Sequence, residues 1–119
     1  MNKIIIYCYP KCSTCQKAVK YLEKHNLSFD YHNIKEDQPN FNELKSIIAR
    51  SGKDINKFFN TSGQLYKLLD LKNKLTTMTD NDKIKLLAGE GMLIKRPLVL
   101  IDDTVLLGFK ETEWDEVLK

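Results

Sequence analysis

The chain has 119 residues, 42% hydrophobic and 29% charged, which suits one folded domain with a core of its own. Its net charge of +3 comes from lysines interleaved with acids and not from a basic block, so no direct nucleic-acid footprint is present. No apolar stretch approaches the roughly 20 residues that span a bilayer, and the run after Met1 is too short for a secretory signal, which gives a cytoplasmic reading with no membrane role.

In chain order, residues 3–8 (Lys3-Ile4-Ile5-Ile6-Tyr7-Cys8) predict a buried strand. Residues 13–25 predict an amphipathic helix with Ala18, Val19 and Leu22 on its apolar side and Asn26 as its stop. Phe29 to Ile34 alternates with period two, as a half-buried strand does, and should run parallel to the first. Pro39-Asn40 opens a second helix through about Arg50, closed by Ser51-Gly52. The middle of the chain reads as helical, with a short helix over 65–69 and another capped at Thr79 that stops at Gly89 or Gly91. Leu98 to Ile101 and Val105 to Leu107 flank the Asp102-Asp103 turn as an antiparallel hairpin, and Glu111 to Leu118 forms a closing helix. The sum is β-α-β, helices, β-β-α, an α/β order that matches a thioredoxin-like fold. Residues 1–119 then form one domain with a helical insertion over about 40–92.

Within this order, Cys12-Ser13-Thr14-Cys15 falls at the junction of the first strand and the first helix. A C-x-x-C at the mouth of a helix in a reducing compartment points to redox chemistry, sensing or metal binding in place of a structural disulfide. The first-turn amides have no intrahelical acceptor and carry the positive end of the helix dipole, so a Cys12 thiolate is expected to be stabilised there. Cys15 lies on the same helix face and is placed to close a disulfide with it. Two other readings stand beside the redox one: a zinc site from Cys8, Cys12, Cys15 and either His25 or His32, and inert buried cysteine. Cys8 reads either as a small apolar residue or as a third thiol exchanging with Cys12. Arg96-Pro97 before the third strand is either a plain strand-entry proline or a cis peptide beside the cysteines. Asn60-Thr61-Ser62-Gly63 is either a capping loop or an anion-binding turn.

The stretch from Ile6 to Ala18, with Lys11-Cys12-Ser13-Thr14-Cys15 at its centre, resembles the active-site loop of the ArsC/Spx family, and Leu93 to Val99 resembles its Arg-Pro motif. The resemblance implies an ArsC-like, thioredoxin-like fold and a cis Pro97. It implies two functions. One is an arsenate reductase-like thiol-disulfide oxidoreductase of the glutaredoxin-coupled type, with Cys12 as nucleophile, Cys15 as resolving thiol and Arg96 stabilising developing negative charge. Ser13, Thr14, Asn60 and Pro97 would bind substrate, glutathione, glutaredoxin or a thioredoxin system would act as reductant, and neither a metal nor an organic cofactor is required. The alternative is a redox-switched regulator of the Spx type, binding the C-terminal domain of the RNA polymerase α subunit. Of the three arginines with which the family's reductases grip their oxyanion only Arg96 has a counterpart; Asn60 and Gly108 stand at the other two places, which argues against efficient arsenate reduction. The default oligomeric state is monomer.

Overall fold

The computed structural model describes residues 3–118. Strand β1 (Ile4–Cys8) leads through a tight turn into helix α1 (Ser13–Lys24), and β2 (Asp30–Asn33) follows. Helix α1 stops at Asn26, which takes a left-handed φ of 56°, a conformation asparagine tolerates better than most residues. Helix α2 (Phe41–Ser51) is fixed at both ends. Asn40 accepts from the Glu43 amide at 2.9 Å while its own amide donates to the Glu43 carboxylate at 3.1 Å, and Gly52 closes the helix at φ 67°.

A 3-10 turn (Ile55–Phe58), α3 (Gln64–Leu68), α4 (Leu71–Lys74), α5 (Asp80–Gly89) and a turn over Gly91–Leu93 then lead to strands β3 (Leu98–Ile101) and β4 (Thr104–Leu107), and α6 (Glu111–Leu118) ends the described chain. The four strands form one sheet in the order β2-β1-β3-β4, with β1 and β2 parallel and the other neighbours antiparallel.

Strand alternation sorts the core into two clusters. Ile4, Ile6 and Cys8 of β1, with Val99, Ile101 and Leu106, meet Cys15, Ala18, Tyr21 and Leu22 of α1 and Trp114 of α6 on one face. Tyr7, Leu98 and Val105 meet the helical segment on the other, through Leu44, Ile47, Phe58, Phe59, Ile84 and Leu87. The register places Ile6 between Tyr31 and Val99, so β1 is central and its end delivers Cys8 to the α1 face.

Two details differ from the sequence reading. Strand β2 lies at the sheet edge and is largely exposed, Tyr31 at 42%; its alternation splits Phe29 and Ile34 between the two clusters instead of building one buried face. Helix α4, started by Asp70 in a left-handed conformation, has no counterpart in the expected elements. Helix α5 ends at Gly89, one of the two stops expected, and Gly91 acts in packing, since a Cβ there would lie 1.7 Å from the Ile34 carbonyl oxygen. Only a glycine permits this approach of the helical segment to the end of β2.

Candidate active site

The turn between β1 and α1 presents the thiols. The Cys12 amide donates to the Tyr9 carbonyl at 2.9 Å, and the Gln16 side chain donates to the Pro10 carbonyl at 2.9 Å, which ties the turn to the first turn of the helix. Cys12 is the N-cap residue, half-buried, and its side chain makes no capping bond. Cys15, one turn further, is 1% exposed, and Cys8 at the end of β1 is fully buried. All three are free thiols.

Cys8 and Cys15 lie in one buried cluster between β1 and α1, with Cys12 packed at its margin. The Cys15 thiol is lowered to about 6, chiefly by the adjoining Cys8 side chain; burial opposes the shift, and the Tyr9 amide, Cys12 and the charge of Arg96 add to it. The Cys8 thiol is pushed up by Cys15 and then by burial. Tyr31, from β2, is raised by burial and then by the three nearby thiols.

Across from Cys12, Arg96 precedes Pro97 through a cis peptide bond. Its guanidinium lies over the Tyr9 ring at 5.6 Å and donates from Nη1 to the Met92 carbonyl at 3.3 Å. Its Nε is buried without a hydrogen-bond partner among the described residues, so one donor of the fork is left unsatisfied.

The neighbouring loop is fastened to the same segment: the Asn60 amide donates to the Leu93 carbonyl at 2.7 Å and the Lys95 amide to the Phe58 carbonyl at 2.7 Å. Within the loop, the Ser62 hydroxyl donates to the Asn60 side-chain oxygen at 3.3 Å. Together these parts wall a cleft of about 870 Å³.

Cys12, Thr14, Asn60 and Arg96 all line this cleft. Cys15 lies behind Cys12 and lines a smaller groove of about 260 Å³ between α1 and Tyr31. Ser13 is exposed and Pro97 is buried, and neither lines the cleft; the Pro97 carbonyl instead accepts from the Gly108 amide at 2.9 Å.

The family model described as the ArsC family matches residues 7–117. The chain belongs to the ArsC family. YusI of Bacillus subtilis (strain 168) is 47% identical over 113 residues, covering 95% of this chain and 96% of its own. The global transcriptional regulator Spx of Streptococcus pyogenes serotype M1 is 27% identical over 110 residues, covering 92% and 81%. Among solved structures, an ArsC family related protein from Bacteroides fragilis superposes with a TM-score of 0.93 at 49% identity, covering 97% of both chains. The ArsC-like, thioredoxin-like fold expected from the sequence is therefore the fold of this chain.

Seen as an ArsC-family cleft, the site holds residues that the sequence reading passed over. Lys95 and Lys110 flank Gly108, and a Cβ at Gly108, whose φ is 78°, would lie 3.3 Å from Lys95 Cε. Leu65, Leu68, Met92, Leu107 and Phe109 give the cleft an apolar lining, with Leu68 80% exposed. No local motif marks these side chains, because three separate stretches of chain bring them together. The histidines are occupied elsewhere: His25 bonds the Tyr21 carbonyl at 2.8 Å and His32 pairs with Asp37. Among the described residues no group of His, Cys, Asp or Glu side chains is arranged to hold a metal ion. No helix among them is long and apolar enough to cross a membrane.

Proposed function

We propose that the protein is a thiol-disulfide oxidoreductase of the arsenate reductase-like kind. The observation that carries this reading is the division of labour between two thiols. Cys12 opens on the cleft, while Cys15 sits buried one helical turn behind it with its thiol pKa lowered. Cys12 attacks the oxidised sulfur of a bound disulfide; one thiol leaves and a mixed disulfide remains on Cys12. The Cys15 thiolate then attacks the Cys12 sulfur, the second thiol leaves with the electron pair, and a Cys12–Cys15 disulfide remains. A cellular dithiol, or glutathione with glutaredoxin or a thioredoxin system, returns it to the reduced state. Arg96 faces the charge that develops on sulfur.

The cleft supports an organic disulfide over arsenate as substrate. Its volume is that of a site for a small organic molecule, and it is lined by apolar side chains together with Lys95, Arg96 and Lys110. Asn60 and Gly108 leave Arg96 without the companions that a tetrahedral oxyanion needs for a charge-assisted grip.

A covalent trap tests this reading. The Cys15→Ser chain is immobilised, exposed to cell lysate, washed and eluted with reductant. The expected result is a discrete set of proteins, or a small thiol such as glutathione, disulfide-linked to Cys12. The absence of any covalent partner would overturn it.

The similarity to Spx over 92% of the chain favours one second reading, a regulator whose C-x-x-C redox state controls binding to the RNA polymerase α subunit. Co-purification of the polymerase under oxidising and reducing conditions separates the two. Retention that depends on the Cys12–Cys15 redox state supports the regulator; binding indifferent to it, or none, removes it.

A further inference from the structure

The oxidoreductase reading gives work to Arg96 but none to the residue before it. Lys95 and Arg96 are neighbours in sequence, yet they send their charges to different parts of the cleft. The Arg96 guanidinium turns toward the thiol wall, over the Tyr9 ring, and bonds the Met92 carbonyl. The Lys95 stem runs across Gly108 instead: a Cβ built on Gly108 would lie 3.3 Å from Lys95 Cε and 3.9 Å from its Nζ.

This seat depends on the glycine. One added carbon at Gly108 would crowd the Lys95 stem, and a longer side chain would take its place. Both sides of the seat are fastened by backbone. The Lys95 amide donates to the Phe58 carbonyl at 2.7 Å, and the Gly108 amide donates to the Pro97 carbonyl at 2.9 Å. The Gly108 carbonyl in turn accepts from the buried Trp114 indole at 3.3 Å. These bonds fix where the lysine stem starts and what it crosses.

The charge there is unanswered. Lys110 lines the same cleft from just beyond Gly108, and Lys95, Arg96 and Lys110 share it with a single acid, Glu90. None of the four forms an ion pair among the described residues. Unpaired cations gathered in one concave wall repel one another, and an anion bound among them relieves this.

We infer that Lys95, seated across Gly108 and joined by Lys110, is a specificity-determining residue that binds a carboxylate of the disulfide substrate. The inference rests on the oxidoreductase reading above. Cys12 still attacks sulfur, one thiol still leaves with the electron pair, and Lys95 only holds the acidic end of the substrate. Two features select a carboxylate on an organic frame over a free inorganic anion. Lysine is a compact point charge and lacks the bidentate fork that grips a tetrahedral oxyanion. Leu107 and Phe109, on either side of Gly108, border the charge with apolar surface that suits the carbon chain between sulfur and acid. Such a carboxylate comes either from a small thiol acid or from an acidic residue next to a cysteine in a polypeptide, and the test separates these sources.

The probes are 3,3′-dithiodipropionate, 2-hydroxyethyl disulfide and cystamine, which have arms of equal length ending in an acid, a neutral group and an amine. Steady-state kcat/KM is measured at low ionic strength with a dithiol as reductant. Each value is taken relative to the reaction of the same disulfide with the dithiol alone, which removes differences in intrinsic reactivity. In the unaltered protein the acid should exceed the neutral disulfide by about tenfold, the worth of a charge-assisted hydrogen bond, and cystamine should fall below it. Added salt should narrow the spread.

The ratio of acid to neutral disulfide within each variant is the readout, because it cancels any general loss of folding or thiol reactivity. Lys95→Met keeps the stem without the charge and should lower the ratio to about two or less. Lys95→Arg should keep most of it. Gly108→Asn leaves Lys95 in the chain but fills its seat, with a residue that tolerates left-handed backbone, and the ratio should again fall severalfold. For the source, peptides whose cysteine carries a pyridine-2-thiol leaving group are compared, with glutamate or glutamine beside that cysteine. A glutamate preference that Lys95→Met removes assigns the carboxylate to a polypeptide, and a preference confined to dithiodipropionate assigns it to a small acid; either supports the inference.

A ratio near one in the unaltered protein with both kinds of probe would overturn the inference, as would a ratio that Lys95→Met or Gly108→Asn leaves unchanged. In each of these cases, turnover of 2-hydroxyethyl disulfide leaves the oxidoreductase standing. A protein that reduces none of the disulfides and attacks neither peptide would overturn the oxidoreductase reading and this inference with it.

Discussion

The two walls of the cleft are built by different means. The thiol wall is local: Cys8, Tyr9, Cys12 and Cys15 follow one another between β1 and α1, and β1 is held at the centre of the sheet by neighbours on both sides. The facing wall is assembled from three stretches, around Asn60–Leu65, Glu90–Arg96 and Leu107–Lys110. A bridge between Phe59 and Ile94, the paired amide bonds at Asn60 and Lys95, and the Gly108 bond to Pro97 hold these stretches in place. Buried Trp114 of α6 adds a bond from its indole N–H to the Gly108 carbonyl at 3.3 Å. On the proposed reading, bond-making falls to a short motif whose geometry is self-contained, and recognition to a wall drawn from three separate stretches.

The largest effect that separates the walls is on turnover. With 2-hydroxyethyl disulfide as substrate and a dithiol as reductant, Cys12→Ser should lower kcat/KM by about 10³-fold or more, because it removes the bond-forming atom. Asn60→Ala, which removes one polar group from the assembled wall, should cost about tenfold at most and act mainly on KM. Steady-state kinetics on both variants checks the contrast. Equal losses would mean that the facing wall takes part in the chemistry itself.

A second contrast concerns how the helical segment docks on the sheet. Gly89 and Gly91 are near neighbours with opposite surroundings: a Cβ at Gly89 meets nothing within 4 Å, whereas one at Gly91 meets the Ile34 carbonyl oxygen at 1.7 Å. Gly91→Ala must push two backbone segments apart and should destabilise the protein by about 3 kcal/mol or more. Gly89→Ala falls at the last residue of α5 with open space around it and should be neutral or slightly stabilising, by up to about 1 kcal/mol. Urea denaturation midpoints of the two variants decide this, and similar values would show that the approach of Gly91 to Ile34 is not held in solution.

Those two glycines also mark where the sequence stops being legible. As local symbols they are alike, and either reads as the stop of α5; only the packing of the segment against the end of β2 tells them apart. Features specified within a few residues were readable: the Asn40 start and Gly52 end of α2, the Thr79 cap of α5, the hairpin at Asp102-Asp103, and the strand-turn-helix that carries Cys12 and Cys15. Features that need a distance across the fold were not. The exposure of β2 depends on its being an edge strand. The gathering of Lys95 and Lys110 around Gly108 depends on closure of the assembled wall. The same holds inside the thiol wall, since Cys8 stands four residues before Cys12 in sequence yet shares a buried cluster with Cys15, a placement set by how α1 lies on β1.

The last expected effect is a pH dependence confined to the thiol wall. The Cys15 pKa is lowered to about 6 in the folded chain, against about 8.5 for an unperturbed thiol. A lowered acid stabilises the fold where it is ionised, so this contribution is complete above the unperturbed value and is lost as pH falls through 6. Cys8 is shifted the other way and stays protonated, so it opposes folding only above the unperturbed value and is silent in this window. Between roughly pH 6 and 8.5 the unfolded chain therefore binds more protons at these sites than the folded one, and stability rises with pH, by at most about 1.4 kcal/mol per unit for one proton. Urea unfolding at several pH values should show this slope in the unaltered protein and a flatter one in Cys15→Ala. Asn60→Ala, on the assembled wall, should shift the whole curve without changing its slope. A Cys15→Ala chain that keeps the full slope would place the titrating group elsewhere and remove the electrostatic distinction between the two walls.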